Sequence, residues 1–252
     1  MNKLVLVTGA TAGFGEATAV KLAANQFDLI ITGRRNERLI ELKSKIEKEY
    51  GVKVQALCFD IRDKVGVDKA FAKIQNPSDI EILINNAGLA SGLNPFHQGD
   101  LEDWEKMIDT NIKGLLYISR LVSPFMVEKK HGHIVNIGSI AGRQVYPNGN
   151  VYCASKFAVD ALTQGMRIDL LPYGIKVSQV APGAAETEFS IVRFHGDEQR
   201  AKKVYDNYEP LLAEDIADAI YYIITRPPHV NINDMLIMPT AQASAFSLHL
   251  KA

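Results

Sequence analysis

The chain has 252 residues, 47% of them hydrophobic and 23% charged, which fits one globular domain with a sizeable core. Its 28 basic and 29 acidic residues leave a formal charge of -1, without a basic block or a basic amphipathic helix, so nucleic acid and membrane surfaces are disfavoured as partners. Only Cys58 and Cys153 are present, which excludes a disulfide framework, and no apolar run approaches the length of a membrane span. Because a strand already begins at Lys3, we expect no signal peptide and a cytoplasmic location.

Short apolar runs of β type recur along the chain, with stretches of helical period between them. In the stretch from 36 to 50, for example, Leu39, Leu42, Ile46 and Tyr50 fall on one stripe. Strands that alternate with helices imply parallel pairing through right-handed crossovers. We predict an α/β fold with one seven-stranded, doubly wound parallel sheet, helices on both faces and a single domain over 1–252. The predicted strands are "LVLV" (4–7), "DLIITG" (28–33), "VQALCF" (54–59), "IEILI" (80–84), "GHIVNIG" (132–138), "IKVSQV" (175–180) and "MLIM" (235–238).

The first strand runs into a glycine-rich turn, "TGATAGFG", which contains Gly9, Gly13 and Gly15 and precedes a helix. Such a turn lets backbone N–H groups approach a phosphate at the positive end of the helix. Its spacing is Gly-x-x-x-Gly-x-Gly, which differs from the common Gly-x-Gly-x-x-Gly fingerprint. Glu16 follows the last glycine, which excludes the lysine of a phosphate-binding loop at this position. The alternative is that the three glycines only shape the turn from strand to helix and bind no phosphate.

The second strand ends at "GRRNERL", which places Arg34 and Arg35 about twenty residues after the glycine turn. At this position a carboxylate selects NAD by its ribose hydroxyls, whereas arginine neutralises the 2′-phosphate of NADP. No acid follows the strand before Glu37. The sequence therefore favours NADP over NAD, although two arginines at a strand end are also common as solvated charges.

Polar residues also follow the third and fourth strands, at Asp60 in "CFDIRD" and at Asn85 and Asn86 in "ILINNAG". Ligands of doubly wound sheets bind outside the carboxyl ends of the strands, so these side chains are candidates to face an adenosine. Asp60 is equally placed to cap the next helix.

Six motifs in chain order resemble those of the classical short-chain dehydrogenase/reductase family: "TGATAGFG", "NNAG", "MIDTNIKG", "NIGS", "YCASK" and "PGAAET". The resemblance covers nearly the whole chain and implies a Rossmann-type sheet and hydride transfer between a nicotinamide cofactor and an alcohol or carbonyl. The residues that fall on the family's catalytic positions are Asn111, Ser139, Tyr152 and Lys156. Together with the features above, the resemblance assigns the cofactor to Gly9, Thr11, Gly13, Phe14, Gly15, Arg34, Arg35, Asp60, Ile61, Asn86, Ala87, Gly88, Tyr152, Lys156, Pro182, Gly183 and Thr187.

Tyr152 and Lys156 lie four positions apart, so they share one face of a helix. A phenol has an unperturbed pKa of about 10, and a nearby ammonium lowers it toward the working pH. We therefore expect Tyr152 to exchange a proton with the substrate oxygen, which Ser139 also hydrogen-bonds. By family analogy Lys156 also holds the nicotinamide ribose, and Asn111 helps to bind a water of the proton relay.

Two irregular regions are expected to carry substrate contacts: a loop at about 182–198 and the C-terminal segment at about 227–252. We assign Arg193, in "TEFSIVRFHGD", as the anchor of a substrate carboxylate, beside Ser139 and Tyr152. Arg143 is a rival candidate, and a solvated or phosphate-bound Arg193 is the alternative. Ala185 departs from the family, which more often has Ile or Val there.

Within the family, the segments "GRRNERL", "LEDWEKMIDTN", "GNVYCASK", "TEFSIVRFHGD" and "PPHVNIN" resemble the NADP-dependent 3-hydroxy acid dehydrogenases. These act on serine, L-allo-threonine and related small acids and are typically homotetramers, so we expect a small hydroxy acid or carbonyl as substrate and a homotetramer. The alternatives are a 3-oxoacyl-thioester reductase or general carbonyl reductase of the same family, and a non-catalytic dinucleotide-binding sensor. No metal site is expected, because the His131/His133 pair lacks an obvious partner acid, and Cys153 is expected to be a packed thiol.

Overall fold

The computed structural model describes residues 2–250 and contains one sheet of seven parallel strands. The spatial order β3-β2-β1-β4-β5-β6-β7 reverses direction between β1 and β4, which is the topological switch point of a doubly wound sheet. The predicted α/β fold is confirmed. The strands are β1 (Leu4–Val7), β2 (Asp28–Gly33), β3 (Val54–Cys58), β4 (Ile80–Asn85), β5 (Gly132–Ile137), β6 (Ile175–Pro182) and β7 (Asp234–Ile237).

The longer helices connect the strands as crossovers, and two short ones lie in the loop after β6. In chain order they are α1 (Gly13–Ala24), α2 (Asn36–Tyr50), α3 (Lys64–Phe71), α4 (Leu101–Ile108), α5 (Leu115–Lys129), α6 (Asn150–Leu170), α7 (Phe189–Arg193), α8 (Glu198–Lys203) and α9 (Ala213–Ile224). Between residues 2 and 250, no helix combines the length and the apolar character that crossing a bilayer requires.

Both faces of the sheet are covered, because successive strand residues point to opposite sides and both sides are apolar. In β1, Val5 and Val7 pack on the face covered by α1, α2 and α9, whereas Leu6 packs on the face covered by α3, α5 and α6. The stripe predicted for α2 faces the first of these layers. The fold therefore leaves only the ends of the sheet available for a ligand site.

The loop predicted at about 182–198 contains more regular structure than the sequence indicated. β6 continues to Pro182 and α7 falls within the predicted loop, whereas α8 begins at Glu198, where the sequence indicated a helix near Gln199. After β7, residues 239–250 turn back toward the same edge of the sheet, with an isolated bridge between Gln242 and Leu248. Both irregular regions thus lie at the carboxyl ends of the strands.

Candidate active site

A cavity of about 490 Å³ lies at the carboxyl edge of the sheet. It reaches from the ends of β2 and β3 across the switch point to Tyr152, and the loop after β6 and residues 242–248 cover it. Of the residues assigned from the sequence, two do not line the cavity, Gly15 and Asn111. The assigned residues that line it are Gly9, Thr11, Gly13, Phe14, Arg34, Arg35, Asp60, Ile61, Asn86, Ala87, Gly88, Ser139, Tyr152, Lys156, Pro182, Gly183, Thr187 and Arg193.

The glycine turn has a backbone that favours glycine, because Gly9 and Gly13 have φ angles of +68° and +53°. A Cβ on Gly13 would lie 3.3 Å from Cβ of Thr187, so the loop after β6 packs directly on the turn. Asn86 donates from Nδ2 to the carbonyl oxygens of Thr8 (2.8 Å) and Gly9 (3.2 Å) and so fixes the turn to β4. Gly15 packs against the same groups behind the turn, which explains why it does not line the cavity.

The two asparagines of the "NNAG" motif have different roles. Asn85 is buried, and its Nδ2 donates to Ser119 Oγ and to Asn136 Oδ1, both at 2.9 Å. Its side chain is part of the core and does not face the cavity. The alternation of side chains along a strand places only its neighbour, Asn86, at the ligand side.

Arg34 and Arg35 lie at one end of the cavity, as the sequence placed them. Arg35 donates to Thr11 Oγ1 at 3.1 and 3.0 Å and to Glu188 Oε2 at 2.7 Å, and Arg38 donates to Glu188 Oε1 at 2.6 Å. Burial opposes ionisation of Glu188, but the hydrogen bonds from Arg38 and Arg35 hold the pKa of this carboxyl below its usual range. The acid paired with these arginines is therefore Glu188, in the loop after β6. Its distance along the sequence from β2 gave no indication of this contact.

Asp60 lines the same end of the cavity and is held by Arg62, which donates from Nη2 to Oδ2 at 2.6 Å. Burial opposes its ionisation, yet the hydrogen bonds from Arg62 keep the pKa of Asp60 below the ordinary value. The cap of α3 is Asp63, whose Oδ1 accepts from the N–H of Val65 at 3.0 Å. The alternative role of Asp60, as the cap of the next helix, is therefore wrong.

Tyr152 and Lys156 lie on the first turns of α6 and face the cavity together with Ser139. Lys156 is buried, donates to the carbonyl oxygen of Ile137 at 2.9 Å, and lies 6.0 Å from the centroid of the Tyr152 ring. Desolvation lowers the pKa of Lys156 to about 8. Ser139 follows β5 and caps the short turn over Ile140–Gly142, and its hydroxyl is close enough to the phenol of Tyr152 to favour the phenolate.

Burial raises the pKa of Tyr152, and the two groups that oppose this are the Arg193 guanidinium and the Ser139 hydroxyl. The sequence suggested Lys156 as the cation that lowers this pKa. In the structure Arg193 has that effect, because its guanidinium carbon lies 5.0 Å from the centroid of the phenol ring. A lysine one helical turn away was visible in the sequence, whereas an arginine from a distant loop was not.

Asn111 lies behind the cavity, in a π-helical turn over Asp109–Gly114 that joins α4 to α5. Its Oδ1 accepts from Leu89 N, and its Nδ2 donates to Leu89 O, both at 2.8 Å, and to Ser155 Oγ at 2.9 Å. Single π-turns inside helices are frequent at functional sites. The side chain links the irregular segment after "NNAG" to Ser155 of α6, the residue immediately before Lys156.

Arg193 is the last residue of α7, and its guanidinium lies over the ring of Tyr152. Its Nη2 donates to the hydroxyl of Tyr146 at 2.9 Å, and its guanidinium also lies 5.0 Å from the ring of Phe189. Nε of Arg193 is buried without a hydrogen-bond partner. The rival Arg143 does not line the cavity and forms an ion pair with Asp234 at the edge of β7.

Several cavity residues were not assigned from the sequence. Tyr146 and Phe189 enclose Tyr152 and Arg193, and Phe189 meets the Tyr152 ring edge-on at 5.5 Å between centroids. From the C-terminal segment, Gln242 accepts the N–H of Ala184 at 2.8 Å and so holds the loop after β6. In the sequence, the only indication of these cavity residues was that the aromatic residues Tyr146 and Phe189 lie close to the family motifs "YCASK" and "PGAAET".

The remaining candidate groups of the sequence lie away from the cavity. Within residues 2–250, no group of three or more His, Cys, Asp and Glu side chains is arranged to hold a metal. His133 is buried in β5 and contacts Ser178 Oγ at 2.8 Å, whereas His131 is exposed. Cys153 is fully buried, and desolvation raises the pKa of its thiol, as expected for a packed cysteine.

Comparison with known proteins places this geometry in a family. Residues 3–197 match the family described as short chain dehydrogenase. The chain is 47% identical over 249 residues to the NADP-dependent 3-hydroxy acid dehydrogenase YdfG of Salmonella typhi, with 98% of this chain and 99% of the relative covered. It is 45% identical to sulfoacetaldehyde reductase 2 of Chromohalobacter salexigens, with 98% and 99% covered.

Among solved structures, the closed form of a serine dehydrogenase complexed with NADP+ is similar, with a TM-score of 0.91 and 45% identity over 96% of this chain and 97% of that one. Serine dehydrogenase from Escherichia coli gives a TM-score of 0.82 at 40% identity, with 95% and 99% covered. The catalytic motifs, the parallel sheet and these matches agree along nearly the full length. The chain belongs to the short-chain dehydrogenase family of oxidoreductases.

Proposed function

We propose that this chain is an NADP-dependent oxidoreductase that interconverts small 3-hydroxy acids, such as serine, L-allo-threonine or 3-hydroxypropionate, with the corresponding 3-oxo acids or semialdehydes. The relatives named as NADP-dependent 3-hydroxy acid dehydrogenase and serine dehydrogenase support the class of reaction. One observation carries the choice of an acidic substrate: the Arg193 guanidinium lies over the ring of Tyr152 inside the cavity.

The backbone and the charges that line the cavity support NADP as the cofactor in this proposal. The left-handed glycines at 9 and 13, at the N-terminus of α1, leave backbone N–H groups accessible to a pyrophosphate. Arg34 and Arg35 offer guanidinium donors to a 2′-phosphate at the end of β2. When bound, NADP supplies the centre that accepts or donates hydride. Asp60, Ile61, Asn86–Gly88, Pro182, Gly183 and Thr187 complete the walls that would hold it.

The proton chemistry belongs to Tyr152. In the oxidation direction the phenolate takes the proton of the substrate hydroxyl, and in reduction the phenol returns it. Ser139 lies within hydrogen-bonding reach of the phenol, so both groups can address the same substrate oxygen. Lys156, fixed to Ile137 O, holds its ammonium beside the phenol and the cofactor side of the cavity. Asn111 positions this helix from behind, through Ser155.

Arg193 anchors the substrate carboxylate in this proposal. Its guanidinium keeps donors that Tyr146 does not use, and a planar fork can hold a carboxylate through two hydrogen bonds. The other cation near Tyr152 is Lys156, which is buried and bound to a backbone carbonyl. A long neutral thioester, as in the 3-oxoacyl reductase alternative, would gain nothing from a guanidinium at this place.

The test is a scan of hydroxy acids, neutral alcohols and semialdehydes by the absorbance of reduced nicotinamide, with NADP and NAD in turn. With both substrates assayed on the alkaline plateau of the pH profile, Arg193→Leu should weaken transition-state stabilisation, measured from kcat/KM, by roughly 2 kcal/mol or more for a 3-hydroxy acid and hardly at all for a neutral alcohol of similar size. Equal losses for both substrates would contradict the anchoring role. No NADP-linked turnover of any hydroxy acid by the wild type would contradict the proposed function.

A second candidate substrate is a small sulfonate aldehyde. The relative named sulfoacetaldehyde reductase 2 is 45% identical over 98% of this chain, and a sulfonate, like a carboxylate, is an anion whose oxygens can accept from a guanidinium. The cavity therefore accommodates either anion at Arg193. The test is an assay that contains a sulfonate aldehyde and a semialdehyde together. Competitive inhibition of one by the other indicates a single anion site, and independent turnover indicates two distinct activities.

The assembly and location complete the proposal. Exposed apolar side chains lie along α4, α5 and α6, including Leu101 (67% exposed) and Ile168 (71% exposed), which suits burial between subunits. We therefore propose a homotetramer that resides in the cytoplasm, with small molecules as its partners and neither nucleic acid nor a membrane. Light scattering should give four times the 27.8 kDa of one chain, and a monomeric mass would contradict this.

A further inference from the structure

Glu188 connects the loop after β6, where the substrate is proposed to bind, with the arginines after β2, where the 2′-phosphate of NADP is proposed to bind. It precedes α7, in the loop that carries Arg193, and its carboxylate reaches the arginines that follow β2. One carboxylate oxygen accepts from Arg35 at 2.7 Å and the other from Arg38 at 2.6 Å. Both oxygens are thus engaged by cations from the cofactor-selecting end of the cavity.

The segment from Glu188 to His195 is held at both ends and crosses the cavity between them. At its far end the carbonyl oxygen of Arg193 accepts from Gly92 N at 2.9 Å, and His195 Nε2 lies 3.1 Å from the buried carboxylate of Asp103. α7 itself has only five residues, too few to be stable without such attachments. The position of Arg193 over Tyr152 therefore depends on how well both ends are held.

The charges at the near end indicate what Glu188 adds. Arg34 and Arg35 line the cavity, whereas Arg38 does not, so Arg38 is directed to Glu188 and the Thr11 carbonyl. A 2′-phosphate carries a charge of about -1.5 to -2. The three positive charges of Arg34, Arg35 and Arg38 would therefore balance the negative charges of one such phosphate and of the Glu188 carboxylate. Arg35 contacts both the cavity and Glu188, which makes it the shared member.

We propose that Glu188 is a positioning residue that fastens the substrate loop, and with it Arg193, to the arginines of the 2′-phosphate site. This inference rests on the proposed placement of the 2′-phosphate at Arg34 and Arg35. An isolated ion pair between side chains this exposed contributes little, but here one carboxylate joins two guanidinium groups, both of which also hydrogen-bond to Thr11. Glu188 also lines the cavity, but both of its carboxylate oxygens are paired with arginines, so in this proposal the bridge orders the loop over Tyr152 and is not itself a cofactor ligand.

The test compares Glu188→Gln and Arg38→Gln with Glu186→Gln as the matched control. Glu186 lies on the same loop, is exposed, and within residues 2–250 its side chain forms no ion pair. Three quantities are measured: hydrogen exchange of the 185–196 backbone with and without NADPH, the Kd of NADPH from its fluorescence, and kcat and KM for a 3-hydroxy acid.

In Glu188→Gln and Arg38→Gln we expect roughly tenfold faster exchange of the loop and a similar rise in KM for the acid. The Kd of NADPH should rise no more than about twofold in Glu188→Gln, because the lost carboxylate also removes a negative charge beside the phosphate. Unchanged exchange in Glu188→Gln overturns the proposal. A rise in the Kd as large as that caused by removing Arg34 also overturns it, because Glu188 would then belong to the cofactor site.

These results are separable from the fate of the proposed function. Hydrogen exchange and NADPH binding need no substrate, so they report on Glu188 even if the substrate class is wrong. Conversely, a wild type that oxidises hydroxy acids while Glu188→Gln exchanges and turns over normally refutes only the role of Glu188.

Discussion

The guanidinium carbon of Arg193 lies 5.0 Å from the centroid of the Tyr152 ring. Tyr152 is removed from water, which raises its pKa, and the charge of Arg193 is the largest influence in the opposite direction. One residue can thus hold the substrate anion and also favour the phenolate that accepts the substrate proton. The two roles are distinguishable, because with a neutral substrate Arg193 can still favour the phenolate of Tyr152 but has no substrate anion to bind.

The first prediction follows for oxidation of a neutral alcohol. Arg193→Leu removes the cation that lowers the pKa of Tyr152, so the pH at which kcat reaches half its maximum should move upward. Arg193→Lys keeps the charge and should leave the profile close to that of the wild type. A profile that stays in place in Arg193→Leu would show that Arg193 does not tune the phenol.

The second prediction concerns the proton carrier. Tyr152→Phe keeps the ring, which packs edge-on against Phe189, but removes the ionisable hydroxyl. Turnover should fall by about 10²- to 10⁴-fold, the range for loss of a general acid or base. The Kd of NADPH, measured by fluorescence, should stay within about twofold of the wild type. Activity near the wild-type value would exclude Tyr152 as the proton carrier.

The third prediction concerns cofactor choice at Arg34. Within residues 2–250 the guanidinium of Arg34 forms no ion pair, and it lines the cavity. Arg34→Ala should raise the Kd of NADPH roughly tenfold or more, because a charge-assisted contact to the phosphate is lost, and should hardly change the Kd of NADH. Lys48→Ala, which removes an exposed cation in the last turn of α2, is the control. Equal weakening of both cofactors would place the 2′-phosphate elsewhere.

The sheet was predictable because its strands are short, apolar and buried on both faces, and the stripe of α2 marked that helix from Asn36 to Tyr50. The cavity lining was predictable wherever residues follow the carboxyl ends of strands, as Gly9, Arg34 and Asn86 do. Local sequence contains this information, because strand direction alone decides where these residues lie.

Contacts between distant segments could not be predicted in the same way. Glu188 meets Arg38 across 150 positions, and nothing in either segment indicates the other. The five residues of α7 are too few to show a helical period inside a predicted loop. Asn85 and Asn86 are adjacent and identical in type, and only the strand alternation separates the core residue from the cavity residue.

The last prediction concerns acid stability and His133, away from the active site. This side chain is buried in β5, and desolvation lowers its pKa from 6.5 to about 3. Between these two values the unfolded chain binds a proton that the folded protein does not. The free energy of unfolding should therefore fall as the pH falls from about 6.5 toward 3. From pH 7 to pH 5 this one group should cost on the order of 2 kcal/mol.

His133→Gln keeps a donor for Ser178 Oγ, which His133 Nε2 contacts at 2.8 Å, but it cannot be protonated in this range. Urea unfolding at pH 7 and at pH 5 should show that the variant loses less stability than the wild type over this interval, whatever its stability at pH 7. His131→Gln is the matched control, because His131 lies two residues earlier and is exposed, so its unfolding should follow the wild type at both pH values. If His133→Gln and the wild type lose the same free energy between pH 7 and pH 5, His133 is not kept neutral by its burial, and the acid sensitivity must come from the paired carboxylates instead.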